Sequence, residues 1–158
     1  MKSIFLVCIA VVLSCASTVA QSDTELPAVF PLGANEKAYE QLGTTYAQSI
    51  LEVAGNDIEL ASEKWLDLMK KMEDYSSRIN YDIKGLKVWF HMFFAADGSI
   101  DHVGYILREN SRNFDENELK AFLKSFASTE KLDLSSTKQF SFYTGATFPV
   151  FAERYSGN

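Results

Sequence analysis

From Gly85 onward the hydrophobic period of the chain changes from about 3.6 to 2, and this limits the available folds more than any other feature. Leu86, Val88, Phe90, Met92 and Phe94 alternate with Lys87, Trp89, His91 and Phe93. In a strand such alternation sends successive side chains to opposite faces. Ala96-Asp97-Gly98-Ser99 follows, a turn signal because glycine after aspartate tolerates positive φ. Ile100 to Arg108 returns as a second strand, so residues 86–108 read as a β-hairpin. With Asp97-Gly98 as a two-residue loop, position 102 lies opposite 93 and position 104 opposite 91. His91 and His102, the two histidines of the chain, then share one face with Trp89, Phe93 and Ile106.

The preceding stretch has the helical period. Asn35 caps a helix expected from Glu36 to about Ala54, with Tyr39, Leu42, Tyr46, Ile50 and Val53 as its apolar stripe and Gly55-Asn56 as its end. Asp57 caps a second helix to about Ser76, with Ala61, Trp65, Leu68, Met72 and Tyr75 on one face. Two such helices joined by a short loop predict an antiparallel helical hairpin over residues 35–80. Residues 21–34 contain Pro27 and Pro31 without a sustained period and read as an extended lead-in.

Beyond the β-hairpin, Asp115 and Glu118 stand at the spacing of a capping box, ahead of the stripe Leu119, Phe122, Leu123 and Phe126. Ser128 to Lys138 is polar and reads as loop. Gln139 to Tyr143 alternates again, and Gly145 to Phe151 is expected to continue that strand past a bulge. Pro149 has no N–H and belongs on an edge or beyond the ladder. The expectation is an α+β fold, a helical hairpin followed by a ββαβ unit at 85–152, forming one compact body.

The first twenty residues carry Lys2, then the apolar run Ile4 to Val12, then Thr18-Val19-Ala20 before Gln21. The run is too short to cross roughly 30 Å of hydrocarbon, which takes about 20 apolar residues. Charge, apolar stretch and small-residue site are the order of a secretory signal. Residues 1–20 are therefore expected to be removed on export to the periplasm or outside the cell. Val12-Leu13-Ser14-Cys15 resembles a loose bacterial lipobox, which makes Cys15 a candidate lipidation site and membrane anchorage the alternative. Cys8 and Cys15 both precede Gln21, so a chain cut after Ala20 has no disulfide, thiolate nucleophile or thiolate metal site. The net charge of −6 argues against nucleic acid, whose binders neutralise phosphates with lysine and arginine.

A hairpin with Asp-Gly at its tip, a helix and then a third strand resembles the TonB C-terminal domain family. The likeness rests on Lys87 to Phe94, Asp97-Gly98-Ser99-Ile100, Val103 and Tyr105, the helix around Leu119 and the closing Phe148-Pro149-Val150-Phe151. It covers residues 86–151. Together with the Ala-Gln cleavage site, the whole is similar to small exported proteins of Bacteroidetes-type bacteria. The resemblance implies a protein or peptide partner bound near the third strand. The chain departs from the family after the helix, where Ser125 to Thr137 holds neither tryptophan nor proline. In place of a proline-rich spacer it has helices, so envelope energy transduction is not implied.

Little in the chain is suited to catalysis. There is no Gly-x-Ser-x-Gly, no phosphate-cradling glycine loop and no His-Glu-x-x-His. Asp115, Glu116 and Glu118 suit a helix N-terminus. Trp89, His91, Phe93 and His102 form the candidate binding patch, aromatic with two titratable groups, or else a sheet face half covered by helices. Asp101 is expected on the opposite face, which leaves two histidines without a carboxylate. No enzyme activity, cofactor or metal is expected. The expected function is partner binding by strand addition. A small-ligand or hydrolase-like pocket in a cone-shaped α+β fold is the alternative, and a homodimer is compatible with either.

Overall fold

The computed structural model describes residues 26–150. Over these residues it is a mixed α+β fold with four helices and a five-stranded sheet. In chain order the elements are β1 (Val29–Pro31), α1 (Glu36–Thr45), β2 (Gln48–Ser49), α2 (Ile50–Val53), α3 (Ile58–Arg78), β3 (Lys87–Phe94), β4 (Ile100–Leu107), α4 (Glu116–Thr129) and β5 (Phe140–Thr147). The strand order is β1-β4-β3-β5-β2. β3 lies between β4 and β5, antiparallel to both, while β1 runs parallel to β4 and β2 parallel to β5. The lead-in therefore contributes a sheet strand: Ala28 O accepts from Val103 N at 2.7 Å and Leu32 N donates to Tyr105 O at 2.8 Å.

The hairpin register is the expected one, with Phe93 opposite His102 and His91 opposite Gly104. The turn is one residue longer than expected, since Ala95 N donates to Ser99 O and Phe94 pairs with Ile100. The register shift beyond Phe93 absorbs the extra residue, leaving Asp101 unpaired as a β-bulge. β5 pairs with β3 without interruption from Phe140 to Thr147, so the bulge expected near Gly145 is absent.

Val88, Phe90, Met92 and Phe94 point to the face covered by α3 and α4, into a core shared with Leu68, Met72, Val103, Phe122, Phe126 and Phe140. The N-caps that start these two helices were legible: Asp57 accepts from Glu59 N and Leu60 N, and Asp115 from Asn117 N and Glu118 N. The ring of Phe93 points the other way, into a smaller core with Phe30, Ala38 and Tyr46 beneath α1.

The helical hairpin expected over 35–80 is not formed. Its first helix is broken, and α1 and α3 pack on opposite faces of the sheet. Tyr39, Leu42 and Tyr46 serve the Phe93 side, while Ile50 and Val53 join the main core. Between them the chain rounds the edge of the sheet as β2, beside Phe140 and Ser141. Ser49 then caps α2 in a reciprocal box, its hydroxyl accepting from Glu52 N while Glu52 Oε2 accepts from Ser49 N. An apolar stripe read on one helix thus belongs to two cores, because Phe93 also needs cover.

Candidate functional site

The site is built on the face of the sheet that α1 covers in part. β3 contributes Trp89, His91 and Phe93, and β4 contributes His102, Gly104 and Ile106. β5 adds Ser141, Tyr143 and Gly145 in register with Phe93, His91 and Trp89. All four expected binding residues are on this face, but α1 and β1 divide it. Phe93 has no exposed surface and is core. Tyr46 packs edge-on against it at 5.3 Å between centroids, and Tyr39 at 6.3 Å.

His91 lies at the boundary. Its Nδ1 is 2.7 Å from the Tyr39 hydroxyl, and its ring meets those of Phe93 and Tyr143. Burial lowers its pKa to about 4, because desolvation penalises the charged imidazolium. Burial first, and then the neighbouring Tyr143, raise the pKa of Tyr39. Near neutrality the pair is therefore uncharged, and with the imidazole protonated at Nε2 the Tyr39 hydroxyl donates a hydrogen bond to Nδ1.

His102 sits with its Nδ1 3.3 Å from Pro27 O and its ring edge-on to Tyr46. The bulge corrects the placement of Asp101. Its Oδ2 accepts from the Tyr46 hydroxyl at 2.9 Å, so it turns toward the face on which α1 packs. Burial, followed by the bond to Asp101, pushes the Tyr46 phenol up to about 12. Among the described residues, no group of three or more His, Cys, Asp or Glu is placed to hold a metal ion. Cys15 lies outside the described residues.

The uncovered part of the face is apolar. Trp89 is 42% exposed, Ile106 directly opposite it 46%, and Tyr143 53%. The Trp89 and Tyr143 rings stack 5.7 Å apart and 4° from parallel. Trp89 can lie flat because its partner on β5 is Gly145, where a Cβ would stand 3.3 Å from the indole ring. A shallow cleft of about 480 Å³ runs from Trp89 and Ile106 to Arg108, Glu109 and Asn110. Tyr39, Tyr46 and Tyr143 belong to this site and were not among the residues expected there. The alternation of β5 was the available signal for Tyr143.

Beside this patch the sheet ends in an open edge. Phe148 N donates to Leu86 O and Arg108 N to Lys87 O. The odd-numbered residues of β3 therefore bond toward β4, and the even-numbered residues of β5 toward β3. The N–H and C=O groups of Tyr143, Gly145 and Thr147 consequently point away from the sheet. β2 pairs with β5 at Phe140 and Ser141 only, and among the described residues no strand continues beyond it. No charged residue occurs between Lys138 and Glu153. Comparison of the chain with protein-family models, with curated proteins and with solved structures gives no match in any of the three.

Proposed function

We propose that this is an exported, non-catalytic binding protein that takes up an extended segment of a polypeptide partner along the outer edge of β5. The observation that carries this reading is the outward aim of the backbone groups of Tyr143, Gly145 and Thr147. Edge strands are usually blunted by charge, proline or a covering element. Here Pro149 comes after the strand, β2 covers two residues and no charge intervenes. An added strand supplies partners for these groups, and alternate side chains meet the exposed Tyr143 and Trp89. The TonB-like succession of hairpin, helix and third strand, in a family that binds partners near that strand, supports the same location. Export rests on the signal-like first twenty residues, and the intact mass of the protein from its host separates a start at Gln21 from lipidation at Cys15.

Selection of short random peptides displayed on phage, followed by amide exchange, tests the reading. Selected peptides are expected to bind with micromolar affinity and to slow exchange at Tyr143, Gly145 and Thr147. Peptides that protect other amides, with these three unchanged, would refute strand addition at this edge.

A further inference from the structure

The open edge is bounded at both ends, and its limits fall symmetrically about Gly145. At one end Ser141 is taken by Ser49 of β2. At the other, Pro149 is the next residue whose N–H would point outward, and proline has none. Between them the edge offers three N–H and three C=O groups, on Tyr143, Gly145 and Thr147. An identical strand, laid antiparallel about a two-fold axis through Gly145, places Tyr143 opposite Thr147 of the copy and the two Gly145 residues opposite each other. All twelve groups of the two edges then pair, and neither copy's β2 occupies a position that the other's β5 needs.

The side chains fit the same register. Thr144 meets Ala146 on the face covered by α3, so no two bulky groups collide there. On the other face the Gly145–Gly145 position has no side chain, and the Trp89 ring already lies over it in each protomer. Two copies bring their exposed Trp89 and Tyr143 rings into one continuous aromatic layer across the axis. On the α3 side, Glu73 Oε1 accepts from Val150 N at 2.6 Å, whereas Lys64, Lys71 and Arg78 on the opposite flank bond to Asp133, Lys131 and Glu130. Leu66 stands one heptad before Glu73 on the same flank of α3 and is 38% exposed. With no charge in the edge, nothing in its sequence opposes self-pairing.

We propose that the segment this edge takes is β5 of a second copy of this chain, giving a two-fold dimer with a ladder centred on Gly145; this rests on the strand-addition reading. Sedimentation equilibrium of the intact protein tests it. The wild type is expected to dimerise reversibly at micromolar concentrations. Tyr143→Lys with Thr147→Lys sets like charges opposite each other at both ends of the ladder and is expected to weaken the dimer about tenfold. Tyr143→Glu with Thr147→Lys sets opposite charges there and is expected to recover the loss. A wild type that is monomeric throughout, a dimer indifferent to the lysine pair, or a folded Glu/Lys variant that fails to recover would each overturn the proposal. If the variants do not fold, wild-type amide exchange decides: Tyr143, Gly145 and Thr147 must exchange faster on dilution, and unchanged rates overturn it. A monomer whose edge amides are protected by selected peptides refutes the second copy and retains strand addition. A monomer whose peptides bind elsewhere refutes both.

Discussion

The Tyr39 hydroxyl meets His91 Nδ1 at 2.7 Å, and this contact joins α1 to the central strand β3 at the border between covered and open sheet. The contact suits a neutral imidazole, so its protonation should set how firmly α1 is held. In the unfolded chain histidine titrates near 6.5, and in the fold near 4. Between those values the unfolded chain binds more protons, so stability falls as pH falls.

The contribution from neutral His91 is therefore fully present above pH 6.5 and is lost on acidification toward 4. His91→Gln does not titrate in this range. The stability difference between wild type and variant, from urea midpoints, should be flat above 6.5 and should shrink below it. A difference that is level across the whole range, or an NMR titration of His91 at the ordinary value, would refute this.

Phe93 and Trp89 stand four residues apart on the same face of β3, on either side of His91, and should differ widely in cost. Phe93 has no exposed surface and holds α1 and β1 through Phe30, Tyr39 and Tyr46. Phe93→Ala should lose about 3–5 kcal/mol and open α1 to limited proteolysis before the rest of the chain. Trp89→Ala removes an exposed ring and should cost about 1 kcal/mol or less. Denaturant unfolding of both variants checks the ratio; equal losses would mean that the face is not divided as described.

Ser49 marks the point where the reading of the sequence and the structure part. Tyr39, Leu42, Tyr46, Ile50 and Val53 keep a helical spacing straight through Ala47 to Ser49, and no glycine or proline stands at that point to mark a break. The chain breaks there because two sheet faces need cover, a tertiary demand that spacing does not reveal. A local signal was nonetheless present: Ser49 and Glu52 stand at capping-box spacing, and both bonds are made. By contrast, the hairpin register was legible because a slip of one residue would have sent Phe90 and Met92 to the wrong face. β1 and β2, three and two residues long, depend on pairing with residues far along the chain. Among the expected binding residues, the shared face of His91 and His102 was legible, whereas its division by α1 was hidden by reading the broken helix as continuous. If Ser49 defines the start of α2, Ser49→Ala should cost about 1 kcal/mol and speed amide exchange at Glu52. A loss confined to Tyr46 and earlier residues would contradict that assignment.

Gly104 and Gly145 flank β3 on the same face, opposite His91 and Trp89, and alanine at each meets a different neighbour. At Gly104 a Cβ would stand 2.6 Å from Leu32 Cδ2 and 3.1 Å from the ring of Phe30, which is buried and fixed by β1. Relief requires moving β1 away from β4, so Gly104→Ala should cost about 1–3 kcal/mol, as overpacking does. At Gly145 the nearest atoms belong to the indole of Trp89, at 3.3 Å, and that ring has open solvent above it. A tilt of a few tenths of an ångström suffices, so Gly145→Ala should change stability by less than about 1 kcal/mol. Its readout is tryptophan emission, which should change as Trp89 lifts from β5 and loses its stacking on Tyr143. An unaltered emission spectrum, or a stability loss as large as that of Gly104→Ala, would show that Trp89 is held from above as well as below.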